Sequence, residues 1–134
     1  MENELESKIL EIRLFESQIA KLEQQMALLD QQIIELQSLQ ADLDAIKNVK
    51  NQDILAPLGR DVLIRAKLES VDSVLLNVGA RVIVKKDIEG AKATLEKQKQ
   101  SFLEARSDIN KGMDNIIERI MQIEKEIKEI KNKK

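Results

Sequence analysis

From Leu5 onward, apolar residues recur at alternating spacings of three and four. Leu5, Ile12, Ile19, Met26 and Ile33 fill one heptad column, and Phe15, Leu22, Leu29, Leu36 and Leu43 fill the other. A column of mostly β-branched residues beside a column of mostly leucine is the seam of a coiled coil. Its frame runs unbroken from Ile12 to Leu36. A helix covering residues 1–50 would be on the order of 70 Å long. A chain of 134 residues cannot bury such a helix, so it must project from whatever base the chain builds.

The carboxy-terminal half carries a second column, Ile88, Leu95, Phe102, Ile109, Ile116, Ile123 and Ile130, seven residues apart without a slip. Its companion is weaker. Lys92, Lys99 and Arg106 precede Met113, Ile120 and Ile127 at one offset, and Ala91, Gln98, Ala105 and Gly112 stand at the other. The first half of this helix is therefore expected to approach its partner through small residues, with Lys and Arg methylene stems laid along the seam. Asp87 is placed to cap the helix and Glu89 to favour its dipole, together worth about 1 to 2 kcal/mol. Lys131, Lys133 and Lys134 complement the other end.

Between the helices the pattern changes. Residues 54–58, 62–68, 74–78 and 82–86 read as short strands, broken at Gly59-Arg60-Asp61, at 69–73 and at Gly79-Ala80-Arg81. Pro57 cannot donate to a ladder, so the first strand is expected to be an edge or to carry its proline on an unpaired side. If these hairpins reverse the chain, the helices run antiparallel, with facing residue numbers totalling roughly 138. The fold class is α+β, mainly α: a single domain over 1–134, with a helix at 1–50, two β-hairpins within 53–86 and a helix at 87–134.

Composition narrows the function. Two phenylalanines are the only aromatic residues, and Trp, Tyr, Cys and His are absent, so an enzyme core is not expected. The net charge of -2 mixes both signs along the chain, leaving no basic stripe for a phosphate backbone and no expected nucleic-acid ligand. No apolar run approaches the roughly 18 residues of a membrane span, and a cytoplasmic protein is expected. Asp42 and Asp44, like Glu124 and Glu126, stand two residues apart and diverge on a helix, poor geometry for a metal or an acid/base pair. No glycine belongs to a phosphate-binding loop. Catalytic residues, metal sites and cofactors are all expected to be absent.

The hairpin region is too small to close a core of its own and exposes unpaired strand edges. Copies of this chain or related chains must cover it. Leu55, Pro57, Leu58, Val62, Ile64, Ala66, Leu68, Val74, Leu76, Val78, Val82 and Val84 are the candidate oligomerisation residues.

Ala56-Pro57-Leu58-Gly59, Ile64-Arg65-Ala66-Lys67-Leu68 and the run from Val74 through Val78-Gly79-Ala80-Arg81-Val82 to Val84 carry a resemblance. In order, they give an apolar-Pro-apolar-Gly segment, a strand ending in Lys-apolar, and a strand leading through Val-Gly into another apolar strand. Along nearly its whole length the chain resembles the α-class prefoldin subunits, in which two hairpins rather than one separate the α from the β class. The Ile, Lys and Glu bias is similar to archaeal members. The resemblance implies an ATP-independent holdase, a hexamer of two α and four β subunits, with the hairpins forming a central double barrel. It further implies that the stalk tips capture unfolded client proteins and deliver them to a group II chaperonin. The strands here lack the aromatic residue that family members often carry.

A tip that captures non-native chains needs apolar surface that its own seam does not consume. Ile9, Leu10 and Leu14 lie off the seam near Leu5, Ile12 and Phe15; in the second helix Met121 accompanies Ile120, Ile123, Ile127 and Ile130. These eleven residues are the candidate client site. The competing reading is that the seam members simply zip the stalk shut, and that Leu28, Ile34 and Ile117 extend the off-seam excess inward. A structural assembly protein, forming a filament or spacer without clients, is the alternative function.

Overall fold

A computed structural model of the chain describes residues 2–133. Lys134, expected to complement the second helix with Lys131 and Lys133, lies outside that range; Lys131 stands in the helix's last turn. The elements run α1 (Glu2–Ile46), β1 (Lys50–Gly59), β2 (Val62–Ser70), β3 (Val74–Asn77), β4 (Ile83–Lys86) and α2 (Ile88–Asn132). They form two compact units. One comprises the chain up to Ile33 together with the chain from Ser101 on; the other is Ile34–Gln100.

In the first unit the two helices lie antiparallel, as their cross-helix ion pairs show: Asp30 with Arg106, Glu11 with Arg119, and Lys8 with Glu126. Every seam residue of this unit, from Leu5 to Ile33 and from Phe102 to Ile130, is half-buried or buried. Ile123 is fully buried, the one large side chain among the described residues to be so. Alternation of three and four places these side chains on one stripe of each helix, and burying both stripes drives the pairing.

The second unit holds the helix ends and both hairpins. Its core is Leu43, Ile88, Ala91 and Leu95, with Leu36, Ile46, Val71, Val74 and Leu76 packed against it. Ala91 is completely buried, as a small residue at a close approach should be, but Gly112, expected to permit the same, has open space where a Cβ would stand. Helix α1 stops as its last turn tightens, the Val49 amide donating to the Ile46 carbonyl at 3.2 Å. Asp87 caps α2: its Oδ1 accepts from the Gly90 amide at 2.7 Å, and its carbonyl receives the first helical bond from Ala91 at 2.9 Å.

The hairpins are two separate two-stranded antiparallel sheets. In the first, Asp53 pairs with Lys67, Leu55 with Arg65 and Pro57 with Leu63, and the register then slips so that Gly59 meets Val62, leaving Leu58 as the extra residue of a bulge. Strand β1 begins at Lys50, four residues earlier than its apolar pattern announced, because Lys50 and Gln52 still pair with Ser70 and Leu68. In the second, Val74 pairs with Lys86 and Leu76 with Val84. Both turns follow one plan. Arg60 and Asp61, like Ala80 and Arg81, all have positive φ, each pair preceded by a glycine at φ 137° or 117°. Two successive left-handed residues make the turn whose twist matches that of the flanking strands.

Candidate functional site

Two surfaces remain uncovered. The first is hairpin 1. Paired residues share a sheet face, so Ile54, Ala56, Ile64, Ala66 and Leu68 lie on one side, while Leu55, Pro57 and Leu63 share the other with Asp53, Arg65 and Lys67. No residue of β1 or β2 belongs to the core cluster. Leu55 and Leu63 are more than half exposed, and Ile64 and Ile54 stand at 47% and 37%. A sheet of two strands with open edges and apolar surface on both faces is marginal in water.

Hairpin 2 is different. Val74 and Leu76 turn inward onto the helix ends, whereas Leu75 and Ile83 point outward at 72% and 62% exposure. Val84 is half-buried, and Val78 and Val82 flank the turn in the open. Of the proposed oligomerisation residues, Val74 and Leu76 are thus already engaged by their own chain. Leu63, expected on the opposite face from Ile64, is exposed there, and Ile54, Leu75 and Ile83 are further exposed strand residues that the sequence did not single out. Strand alternation separates two faces but says nothing about which one meets the chain's own helices.

The second surface lies at the chain termini. Ile9, Leu10 and Leu14 on α1 and Met121 on α2 are exposed, Leu10, Leu14 and Met121 at about 60% each. Leu5, Ile12, Phe15, Ile120, Ile127 and Ile130 are half-buried and Ile123 is buried. The eleven candidate residues therefore divide into an outer set in water and an inner set that closes the seam. Near them Lys8 Nζ lies 2.5 Å from Glu126 Oε2, with side chains only 21% and 33% exposed. The hydrogen bond from Lys8 holds the Glu126 carboxyl below its usual range, and the same bond raises Lys8. The stalk end is paired, not splayed. Leu28, Ile34 and Ile117 are exposed as well, so exposure of off-seam apolar side chains is not peculiar to this end.

Cross-helix polar pairs in the second unit reveal what the basic companion column does. Lys92 reaches Asp44 at 2.5 Å and Lys47 meets Glu89 at 2.6 Å, while Lys99 reaches Gln40 across the seam at 3.5 Å and pairs within its own helix with Glu96 at 3.0 Å. In the first unit Arg106 meets Asp30 at 2.6 Å. The lysines at 92 and 99 are half-buried with their ammonium groups on acids, as snorkelling side chains beside a seam should be. Among the described residues no cluster of acids, histidines or cysteines fits a metal ion, and no helix is long and apolar enough to cross a membrane.

Two long antiparallel helices whose connection is a pair of hairpins with uncovered apolar faces define a class: a coiled-coil protein joined through small β-hairpins. Its family follows from the match of residues 15–133 to the prefoldin subunit family. The chain belongs to that family, and its relatives are of the alpha type. It is 26% identical to prefoldin subunit alpha of Methanobrevibacter smithii, over 84% of this chain and 73% of that one. With prefoldin subunit alpha of Methanococcus aeolicus it shares 25% identity over 96% and 88%. The cryo-EM structure of filamentous PFD from Methanocaldococcus jannaschii superimposes with a TM-score of 0.79 at 23% identity, covering 87% of this chain and 97% of the other. That likeness confirms the fold, two long helices with two small hairpins. Prefoldins are non-enzymatic chaperone subunits, and the chain has that role with its family.

Proposed function

We propose that the chain is the α-type subunit of a hexameric, ATP-independent, cytoplasmic holdase, two α-type subunits joining four β-type subunits through their hairpins. The stalk ends capture unfolded polypeptide and hand it to a group II chaperonin. The observation that carries this reading is the set of exposed apolar side chains outside a closed seam, Ile9, Leu10, Leu14 and Met121. A closed seam leaves these residues no partner in their own chain, and apolar surface binds non-native segments without regard to sequence. Assembly follows from hairpin 1, whose exposed faces need strands from another copy or from a β-type subunit. Removing about ten residues from each terminus removes Ile9 and Leu10 together with Leu5, Ile127 and Ile130 of the inner set. The shortened subunit should still assemble with β-type partners but should no longer suppress aggregation of an unfolded client; undiminished protection would refute capture at the stalk end.

A second reading, a filament or spacer, is favoured by the likeness to the filamentous structure. Hairpins that pair head to tail without closure grow indefinitely, whereas closed symmetry stops at a fixed mass. Mass measurement of the chain alone and mixed with a β-type subunit separates the two: a concentration-dependent ladder indicates the filament, one defined particle the hexamer.

A further inference from the structure

We infer that the last turns of α2 form a groove selecting client segments that combine apolar with acidic side chains, a proposal that rests on capture at the stalk end. The groove encloses about 400 Å³ and is lined by Met121, Glu124, Lys125, Ile127, Lys128 and Lys131. Met121 is 63% exposed and Ile127 half-buried, so one part of its surface is apolar. A methionine thioether is flexible and adapts to apolar side chains of different shape.

The charges set the selection. Lys125, Lys128 and Lys131 follow one another at spacings of three, along one side of the helix. All three are exposed, and among the described residues none has a carboxylate within ion-pairing distance. Two other cations near this end of the stalk are paired, Lys8 with Glu126 and Arg119 with Glu11. Glu126 is committed to Lys8 across the seam; Glu124 lines the groove and Glu129 stands four residues after Lys125, so three ammonium groups face two carboxylates. Three unpaired ammonium groups beside an exposed thioether suit a segment whose apolar residues are interspersed with Asp or Glu. They repel one interspersed with Lys or Arg. Individually such exposed pairs are weak; three together shift affinity by about tenfold.

The test uses three fluorescent peptides of equal length, in which the same leucines alternate with glutamate, glutamine or lysine. Anisotropy titrations with the full-length protein should rank glutamate about tenfold above glutamine and lysine below both, and high salt should close the gap. In the triple variant Lys125→Gln/Lys128→Gln/Lys131→Gln the ranking should vanish while affinity for the glutamine peptide stays. The corresponding triple arginine variant, which keeps the charge, should retain the ranking, and circular dichroism confirms that both variants remain helical. Met121→Ala should weaken all three peptides alike. Equal affinity for the three peptides, or a ranking that survives in the glutamine variant, overturns the groove while leaving stalk-end capture standing. Failure of the wild-type protein to bind any of the three overturns both.

Discussion

Glu96 accepts hydrogen bonds from Gln40 on the facing helix at 2.9 Å and from Gln100 one turn along at 3.0 Å, with the Lys99 ammonium also at 3.0 Å. The bond from Gln40 does most to lower its carboxyl, followed by those from Gln100 and Lys99, and the result is a value of about 2 against an ordinary 4.5. A carboxylate whose folded value lies below its unfolded one stabilises the fold fully above the unfolded value, and that contribution is lost as pH falls through the folded one. The window here is from about 4.5 down to about 2. Glu89 and Glu126, lowered by hydrogen bonds from Lys47 and Lys8, act in the same direction. Denaturant titrations followed by circular dichroism should therefore show stability steady down to the upper limit and declining below it. Glu96→Gln should flatten that limb and lower stability near neutrality by the amount the limb represented, since the neutral amide lacks the carboxylate's contribution. At the start of α2, Asp87→Ala should cost about 1 kcal/mol in a denaturant titration, since it orphans the Gly90 amide. The cap was readable because its partner lies three residues away in sequence. The Gln40–Glu96 bond was not, because facing polar partners depend on a register that an apolar column in each helix fixes only to within a heptad.

The two hairpins share a turn and differ in support. Arg60-Asp61 and Ala80-Arg81 hold left-handed conformations that only glycine, asparagine and aspartate adopt without appreciable cost. Arg60→Asn with Asp61→Gly, the pair best suited to this turn, should stabilise hairpin 1 by about 1 to 2 kcal/mol. Amide exchange across β1 and β2 is the proper readout, because a hairpin that contributes nothing to the core opens locally before the protein unfolds. Increased protection confined to that hairpin is the expected result; unchanged protection would mean that the turn is not what limits its opening. The strands and turns were legible from β-branched runs punctuated by Gly59 and Gly79, and so was the proline near an open edge. The beginning of β1 was not, since Lys50 to Asp53 carry no apolar alternation and owe their extended form to the backbone of β2. Nor was the unequal burial of the hairpins legible, because Val74 and Leu76 are as apolar as Ile54 and Ile64.

At the scale of the molecule, the proposed assembly through hairpin 1 would draw on residues that folding does not use. The helices close through stripes that sequence period alone reveals, and their ends close over Leu43, Ile88, Ala91 and Leu95 with help from hairpin 2. Hairpin 1 supplies none of that core, so its apolar faces are surplus to the fold and available to partners. Substitution should then separate the two processes. Ile64→Lys, on the apolar face and 47% exposed, should leave helix content and the thermal transition of the isolated chain nearly unchanged. In the same variant the assembled particle should fall to smaller species by light scattering, because an ammonium group buried between paired sheets has no partner there. The control is Leu43→Ala, a buried position outside the hairpins, which should cost about 2 to 5 kcal/mol in stability and weaken assembly only to the extent that the subunit unfolds. If Ile64→Lys instead abolished helicity, hairpin 1 would be needed for the fold itself. If it left the particle intact, the interface would lie elsewhere, with the outward residues Leu75 and Ile83 of hairpin 2 as the next surface to charge.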